Sequence, residues 1–352
     1  MLALLQAADL SLPPVELHLI EIEPALADAL IEAQWEGRHV RFLAAVKKLA
    51  TPKSLRLAAV TAQEAASPPG TYPMVIVPYL SFGKLQELEA AGVSGLDLCG
   101  NGVLVVPGTM LVFRSGQPNR FPQSAKLRNV YRGKSSLVGR AFLLRPEFPQ
   151  VKDLVILLKE RGGSVAFSTV SKALKRLEEE LVISRQGGSI RLMQADVLMD
   201  NLASNYEAPA TAERLRGKHA LPREEFIQRL TTSAWKKTGK LILTGSASSE
   251  RYATMAGEPA VSLYTTLSPR SLLAAPGLDV QETDRFPNVE ILRTDDARAF
   301  FDPRVEGGIP YASPIQTWLE LASGDKRQKD AAKQVRLGIL ASLGHVADDG
   351  RP

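Results

Sequence analysis

The chain has 352 residues, 45% of them hydrophobic and 23% charged, a balance typical of globular proteins, and at roughly 150 residues per domain its length predicts two or three domains. The single cysteine, Cys99, excludes an internal disulfide, and the four scattered histidines lack zinc-ligand spacing, so we expect no metal and no other cofactor. The formal charge is +5, the first residues lack the basic start of a secretory signal, and no apolar run approaches the ~18 residues of a membrane span, which together predict a cytoplasmic protein without a membrane segment.

Residues 1–123 alternate helical and extended patterns, which predicts an α/β layer domain. The first predicted elements are a helix over 24–35 and a strand over 39–47. A helix, a strand, a helix and a hairpin are predicted to follow, over 52–64, 74–78, 82–91 and 96–113. A stretch with two prolines and a glycine then predicts a linker at the end of this segment.

Residues 124–206 predict three helices followed by a hairpin. The first helix has Ser135 or Ser136 as its cap and ends before Pro146. The second helix covers 151–161 and ends at a pair of glycines.

The third helix has Ser168 or Thr169 as its cap and carries two chemically different faces. Apolar side chains recur at helical spacing on one face: Val170, Leu174, Leu177 and Leu181. Charged side chains occupy the opposite face: Lys172, Lys175, Arg176 and Glu179. We therefore expect one face to pack and the other to remain free to bind a charged partner.

Two short extended runs flank Gly187-Gly188 directly after the third helix, which predicts a hairpin, or wing. A helix over 195–206 closes this segment. Residues 207–352 mix helices and short strands and predict a C-terminal α+β domain. Two helices are predicted at its end, over 315–322 and 328–343.

Positive charge is concentrated in the middle of the chain. Residues 124–193 hold 14 basic and 6 acidic side chains, a net charge of +8, whereas residues 1–123 and 194–352 together carry a net charge of −3. A basic segment between mildly acidic flanks is typical of a phosphate-binding module, because neutralised phosphates release counterions on binding.

The third helix and the hairpin together predict a helix-turn-helix with a wing that binds double-stranded DNA. A recognition helix enters the major groove with its N-terminus first, so its first turn and the basic residues behind it are expected to meet base edges: Ser168, Thr169, Ser171, Lys172, Lys175 and Arg176. Residues of the wing and of the segment before the first helix are expected to meet phosphates or a minor groove: Arg185, Gln186, Arg191, Lys126, Arg128, Arg132 and Lys134. The alternative is an ordinary solvated helix, and the three helices, the glycine turn and the local charge together favour DNA binding.

A metal-dependent nuclease is an alternative function. Residues 42–48 have the layout of a nuclease motif in which an acidic residue stands two positions before a lysine, but position 45 is alanine. A divalent cation needs carboxylate oxygens, which Ala45 lacks, so we predict no nuclease site and no enzyme. Glu21, Glu23 and Asp97 are the remaining carboxylates that could serve this alternative.

Two weaker patterns have structural explanations. Thr244-Gly245-Ser246 is a strand-to-turn Gly-Ser of the kind that begins a nucleotidyltransferase core, but no Asp-x-Asp pair follows it to hold magnesium. Cys99 has no histidine near it in sequence and is expected to pack in a core. The phosphate-binding and nucleophile-elbow glycine motifs are absent from the sequence, so nothing specifies a nucleotide or acyl substrate.

Motifs in all three segments resemble one protein family. They are Val77-Pro-Tyr-Leu-Ser, Gly95-Leu-Asp-Leu-Cys-Gly-Asn, Ser168-Thr-Val-Ser-Lys-Ala-Leu-Lys-Arg-Leu-Glu, Gly188-Ser-Ile-Arg-Leu, Pro314-Ile-Gln-Thr-Trp-Leu-Glu-Leu and Ala331-Ala-Lys-Gln-Val-Arg-Leu-Gly-Ile-Leu. Together they resemble the AbiEi-type antitoxins and transcriptional regulators of bacterial type IV toxin–antitoxin systems, and most closely the branch with a nuclease-like first domain.

The resemblance implies a restriction-endonuclease-like fold for 1–123, inactive because of Ala45, a winged helix-turn-helix for 124–206 and an AbiEi-like C-terminal domain for 207–352. It implies a DNA-binding transcriptional regulator that is also an antitoxin, with a cognate toxin as partner. Two alternatives stay open: a nuclease of the PD-(D/E)xK type, and an antitoxin that acts by protein interaction alone. Winged helices often act as dimers on paired half-sites, so a homodimer is one open arrangement.

Overall fold

The computed structural model describes residues 10–22, 27–66, 69–121, 129–255 and 260–348. Its helices and sheets form a mixed α/β fold, as the sequence predicts. In these described ranges, no helix is both long enough and apolar enough to cross a membrane.

The chain divides into two compact units. Met1–Arg128 and Glu179–Leu181 form the first unit, and Asn129–Glu178 and Val182–Pro352 form the second. A single hydrophobic core of the second unit combines residues from both sides of position 206: Leu174, Leu198, Trp318 and Ile339. The division of the chain into three domains stays a prediction.

An eight-stranded sheet forms the first unit as far as the chain is described, with its strands adjacent in chain order. The strands are β1 (Ser11–Leu12), β2 (Val15–Ile22), β3 (Ala29–Trp35), β4 (Arg38–Val46), β5 (Thr71–Val77), β6 (Ser94–Asp97), β7 (Gly102–Val106) and β8 (Met110–Arg114). Helices α1 (Pro52–Ala65) and α2 (Phe82–Ala90) connect β4 to β5 and β5 to β6. These two strand pairs are parallel and the others antiparallel, so the helices lie where parallel neighbours require a crossover.

The predicted helix over 24–35 is wrong where the structure describes it. Residues Ala29–Trp35 form strand β3, and residues 24–26 lie outside the described residues. Every second side chain of the first part of β3 is fully buried: Ala29, Ile31 and Ala33. Burial therefore repeats with the period of a strand, and pairing with β2 and β4 overrides the helical propensity of alanine, glutamate and glutamine.

The other predicted elements of the first unit are confirmed to within a few residues. Helix α1 begins after Thr51, whose side chain accepts a hydrogen bond from the Ser54 amide at 3.2 Å, and it has Pro52 in its first turn. Strands β1 and β2 have no counterpart among the predicted elements.

The first half of the second unit contains four helices and a small sheet. The elements are α3 (Ser136–Leu144), β9 (Glu147–Phe148), α4 (Val151–Glu160), α5 (Phe167–Glu179), β10 (Ile183–Gln186), β11 (Ser189–Leu192) and α6 (Ala195–Ser204). Strand β11 lies between β10 and β9 and is antiparallel to both. The predicted helices and hairpin are present, and β9 is an element that the sequence did not indicate.

Both ends of α5 differ from the prediction, whereas the turn of the hairpin agrees with it. Helix α5 begins at Phe167, because the Ala166 carbonyl already accepts hydrogen bonds from the Thr169 and Val170 amides, so Ser168 and Thr169 lie in its first turn and do not cap it. The helix ends at Glu179, and Leu181 lies beyond it with φ +59°. Gly187 and Gly188 have φ +59° and +87°, the backbone that a two-residue hairpin turn requires.

The second half of the second unit contains a seven-stranded sheet, counted over the described residues. Its strands are β12 (Glu213–Lys218), β13 (Leu241–Leu243), β14 (Val261–Thr265), β15 (Gln281–Glu282), β16 (Val289–Arg293), β17 (Arg304–Glu306) and β18 (Ile309–Tyr311), in the spatial order β15-β12-β16-β14-β13-β18-β17. The helices are α7 (Arg223–Lys236), α8 (Ser246–Ser249), α9 (Pro269–Leu273), α10 (Pro314–Ala322) and α11 (Lys326–Asp348). The last two confirm the helices predicted at the C-terminal end.

A buried arginine connects the two halves of the second unit. Arg140 on α3 is only 2% exposed, and its Nη1 donates a hydrogen bond to Gln316 Oε1 on α10 at 2.6 Å. Gln316 Nε2 donates in turn to Glu320 Oε1 at 2.6 Å and to the Tyr206 hydroxyl at 3.0 Å. Gln316 therefore stands between a buried cation and a buried carboxyl group, and bonds to both.

Glu320 extends this network to the strand β13. Its Oε2 accepts hydrogen bonds from the Thr244 hydroxyl and the Gly245 amide, both at 2.6 Å. Burial lowers the pKa of the Arg140 guanidinium to about 10 and raises the pKa of the Glu320 carboxyl, because the charged form of each group loses its hydration.

The packing of α5 can be tested with one core substitution. Leu174→Ala is expected to lower the free energy of unfolding by about 2–5 kcal/mol, because Leu174 is fully buried in the core that also contains Trp318. The neighbouring Lys175→Ala is the matched control, and since Lys175 is exposed we expect a change below about 0.5 kcal/mol. Urea unfolding followed by tryptophan fluorescence measures both, and equal midpoints would contradict the described packing.

The buried network can be tested through its central residue. Gln316→Leu keeps a side chain of similar size but leaves Arg140 and Glu320 without their hydrogen-bonded link, so we expect a loss of about 3 kcal/mol or more of unfolding free energy. Gln228→Leu on the exposed side of α7 is the control. Differential scanning calorimetry compares the two, and an unchanged melting temperature for Gln316→Leu would show that the network contributes nothing to stability.

Candidate nucleic-acid interface

The outward face of α5 carries polar and basic side chains. Ser168, Lys172 and Lys175 are exposed at helical spacing on one side of the helix. The opposite side is buried in the core through Val170, Ala173, Leu174 and Leu177. Among the described residues, neither lysine pairs with an acidic side chain, so both ammonium groups are available to an external anion.

The remaining predicted residues of α5 flank this face. Thr169, Ser171 and Arg176 are half-buried beside the exposed lysines. The backbone amides of the first turn carry the positive end of the helix dipole, which favours anions at this end. The acidic residues Glu178 and Glu179 lie at the opposite end, so the part of the helix that attracts anions is its N-terminal half.

The hairpin brings three more of the predicted residues to the surface. Arg185 and Gln186 are exposed on β10, directly before the exposed turn Gly187-Gly188. Arg185 Nε lies 3.7 Å from Glu178 Oε2 at the end of α5. This loose ion pair leaves the arginine within reach of solvent and of a ligand.

Arg191 on β11 already binds a carboxylate. Its Nε donates to Glu147 Oε2 at 3.1 Å and its Nη2 donates to Glu147 Oε1 at 3.2 Å. These hydrogen bonds lower the pKa of the Glu147 carboxyl below its ordinary value, so the pair is ionised at neutral pH. A phosphate that binds Arg191 must therefore replace or share the Glu147 carboxylate.

The segment before α3 contributes two exposed basic residues. Arg132 Nη1 lies 3.0 Å from Glu207 Oε1, whereas Lys134 has no acidic partner among the described residues. The other two residues predicted for this segment, Lys126 and Arg128, lie outside the described residues.

Phe167 is a surface residue that the sequence analysis did not select. It is the first residue of α5 and is 62% exposed, next to Ser168. An aromatic side chain exposed at a helix N-terminus can contact apolar groups such as thymine methyls or deoxyribose. Its position directly before the expected cap, Ser168 or Thr169, and outside the predicted apolar face of the helix could have indicated this exposure.

The described carboxylates of the nuclease alternative, Glu21 and Asp97, do not assemble into a site with Lys47. Ala45 is buried in the core against α1, and Lys47 Nζ lies 3.6 Å from Asp28 Oδ2, which also accepts a hydrogen bond from the Val46 amide at 2.7 Å. Asp28 lies in the segment wrongly predicted as a helix, so its position beside Lys47 could not be expected from the sequence. Glu21 is exposed on β2, and Glu23 lies outside the described residues.

Asp97 has a structural role instead. Its Oδ1 accepts from the Cys99 and Asn101 amides, and its Oδ2 accepts from the Leu80 amide and Asn101 Nδ2, all at 2.8 Å. Both oxygens are therefore occupied by protein donors. No group of three or more histidine, cysteine or acidic side chains is arranged to hold a metal ion in the described part of the chain.

The two weaker sequence patterns also have structural roles. The Thr244-Gly245 turn binds the buried Glu320, and Gly245 has φ +56° there, which an L side chain rarely adopts. Cys99 is a buried free cysteine whose sulfur lies 3.5 Å from the Pro78 carbonyl oxygen and 3.4 Å from the Arg120 amide. The Thr244-Gly245 turn and Cys99 therefore each make contacts within their own unit.

Comparison of the chain with protein-family models, with curated proteins and with solved structures finds no match.

Proposed function

We propose that residues 129–206 form a winged helix that binds double-stranded DNA, and that the protein regulates transcription. The observation that carries this proposal is the outward face of α5, where Lys172 and Lys175 are exposed without acidic partners among the described residues, followed along the chain by the exposed Gly187-Gly188 turn. The order of elements supports it, since α3, β9, α4, α5 and the β10–β11 hairpin follow one another with β11 paired to both β10 and β9.

Helix α5 would read the DNA sequence. A major groove about 12 Å wide accepts one α-helix, and the exposed side of α5 offers hydroxyl and ammonium donors to base edges. Ser168 and Thr169 in the first turn and Ser171 directly after it suit direct contact, and Lys172 suits the acceptor oxygen and nitrogen of guanine. Lys175, one turn further on, suits a flanking phosphate.

The hairpin and the segment before α3 would position the protein on the duplex. Arg185 and Gln186 next to the glycine turn would contact the DNA backbone or the adjacent minor groove. Arg132 and Lys134 would add contacts on the same strands of DNA, and Arg191 would exchange its carboxylate for a phosphate. Most of these contacts are electrostatic, so the affinity should fall steeply as salt concentration rises.

The first unit would serve as a scaffold without catalysis. The meander β2-β3-β4, followed by α1 and the parallel strand β5, supports the restriction-endonuclease-like fold implied by the family resemblance. Ala45 supplies no oxygen ligand and Asp97 is fully hydrogen-bonded, so the residues present do not fit a catalytic metal.

The antitoxin role depends on the family resemblance alone. The resemblance implies a cognate toxin as protein partner, and the cytoplasm as the place of action follows from access to DNA. The toxin partner, the homodimer and the AbiEi-like C-terminal domain stay predictions from the sequence.

The exposed lysines of α5 provide the direct test of DNA binding. Lys172→Ala with Lys175→Ala is expected to weaken binding to the DNA upstream of the protein's own gene at least tenfold, because two positive charges leave the interface. The slope of log K against log salt should become shallower by about 0.9, because Lys175 is the one of the two assigned to a phosphate. Gel shifts at two salt concentrations measure both quantities.

The control removes the same charge elsewhere. Lys326→Ala with Lys329→Ala changes two exposed lysines of α11 and should leave the affinity within about twofold of the original. Equal losses for the two double variants, or a salt-insensitive interaction, would contradict a specific role for α5.

The Glu147–Arg191 pair generates a prediction of opposite sign. Glu147→Gln removes the competing carboxylate from Arg191, so we expect DNA binding to become tighter, by up to about fivefold, with a steeper salt dependence. Glu306→Gln, which releases Arg251 from a comparable surface pair, is the control. Fluorescence anisotropy with a labelled duplex measures both, and weaker binding by Glu147→Gln would contradict a phosphate contact at Arg191.

A further inference from the structure

A cavity of about 380 Å³ lies within the second unit, between α3, α10 and α11. Its walls are mostly apolar and come from Leu143, Leu144, Pro314, Ile315, Val335 and Ile339. This volume is at the lower end of the range of small-molecule pockets, about 300–1,000 Å³. The cavity therefore suits a small ligand with an apolar body.

A glycine in the middle of α11 leaves space at this cavity. Gly338 lines the cavity, and a Cβ atom added to it would meet no heavy atom within 4 Å. Glycine inside a helix is less favourable than alanine. A side chain at position 338 would fit the helix but would take up room at the cavity.

Of the polar side chains that line the cavity, Arg304 has N–H donors that are not used in hydrogen bonds to the described part of the protein. The Tyr252 hydroxyl donates to the Ala312 carbonyl at 2.8 Å, and the Ser342 hydroxyl donates to the Ile339 carbonyl at 2.7 Å. Arg304 is the charged residue among those that line the cavity, and its Nη2 donates to Asp302 Oδ2 at 3.0 Å. The guanidinium is 46% exposed and has five N–H groups, so it can bind a carboxylate as well.

Asp302 connects the cavity to the turn between α4 and α5. Its carboxylate is 1% exposed and accepts from Arg161 Nη1 at 2.9 Å as well as from Arg304, and its amide donates to the Arg161 carbonyl at 2.8 Å. Arg161 is the residue that follows the last residue of α4. Next to it, a Cβ atom on Gly162 would lie 3.2 Å from the Phe300 carbonyl oxygen, so this turn packs closely against residues 300–302.

Asp302 is buried and has an unusual backbone conformation, so a change in its ion pairs affects the stability of this region. Burial raises the pKa of the Asp302 carboxyl above its ordinary value, and the two arginines act in the opposite direction. Asp302 also has φ +55°, a backbone conformation that non-glycine residues seldom adopt. If Arg304 turns toward a ligand, Arg161 alone compensates this buried charge, and the turn before α5 is held less firmly.

We propose that the cavity binds a small monocarboxylate with an apolar body, that the carboxylate pairs with Arg304, and that the bound ligand weakens DNA binding by α5. The regulatory part of this proposal rests on the proposed function; the binding part does not. The carboxylate is favoured over a neutral ligand because Arg304 is the group at the cavity with unused donors.

The binding part can be tested with decanoate as the probe and 1-decanol as its uncharged counterpart, using isothermal titration calorimetry on the full chain. We expect decanoate to bind at least tenfold more tightly than decanol. Arg304→Met should remove this preference and leave decanol binding unchanged, and Arg304→Lys should restore part of it. Gly338→Leu should abolish binding of both probes by filling the cavity, and Ser342→Leu at the cavity margin is a second filling variant.

Circular dichroism and thermal unfolding without ligand establish that the filled variants are folded. Decanoate binding that persists unchanged in Gly338→Leu and Ser342→Leu, or in Arg304→Met, would overturn the proposed site. So would the absence of decanoate binding to the original chain.

The regulatory part is tested by repeating the anisotropy titration with DNA in the presence of decanoate. We expect at least a threefold loss of DNA affinity in the original chain and no loss in Gly338→Leu. An unchanged DNA affinity with decanoate bound would overturn the regulatory part and leave the binding site standing. Decanoate binding to a chain that binds no DNA at all would overturn the proposed function and leave the site itself supported.

Discussion

The second unit depends on one buried polar contact, the hydrogen bond from Arg140 to Gln316. A guanidinium withdrawn from water needs acceptors and a counter-charge in place of its hydration. Here Gln316 accepts from Arg140 Nη1 and links it to Glu320, while Arg140 Nε has no hydrogen-bond partner among the described residues. Because these groups lie on α3 and α10 and reach the turn after β13, their hydrogen bonds connect the helices before residue 206 to the C-terminal elements. The hydrophobic core shared by the same elements adds non-directional stability, while the polar contact selects the register in which they pack.

The basic side chains on the surface of the same unit differ in whether they have an acidic partner. Two lysines near the middle of α5, Lys172 and Lys175, have no acidic partner among the described residues, while arginines on the hairpin and before α3 are held by Glu178, Glu147 or Glu207. A cation that already has a carboxylate partner adds less to binding than an unpaired one, because the existing pair must be broken or shared. The net charge of the segment therefore overstates its attraction for phosphate, and the positions of the acidic residues determine how much of it is available.

Much of this arrangement could be predicted from the sequence, because the apolar spacing in α5 and the Gly187-Gly188 turn are local signals. Strand β3 could not, since alanine and glutamate favour helices and only pairing with β2 and β4 determines its conformation. The ion pair between Glu147 and Arg191 joins residues 44 positions apart. Glu147 lies in the two-residue strand β9, which is too short to give a periodic signal in the sequence. The structural roles of Asp97 and Glu320 were likewise beyond sequence reasoning, because they depend on backbone amides brought together by folding.

The pairing of β11 with β9 has a mechanical consequence. Ile190 lies opposite Phe148 and Arg191 opposite Glu147, so the hairpin is attached along one edge to the connection between α3 and α4 and cannot swing as an isolated flap. If α5 lies in a major groove, the tip of the hairpin reaches the neighbouring backbone at a separation fixed by the protein. Duplexes differ in groove width and stiffness according to their sequence, so a rigid spacing of this kind would make the protein sensitive to base pairs that it does not touch.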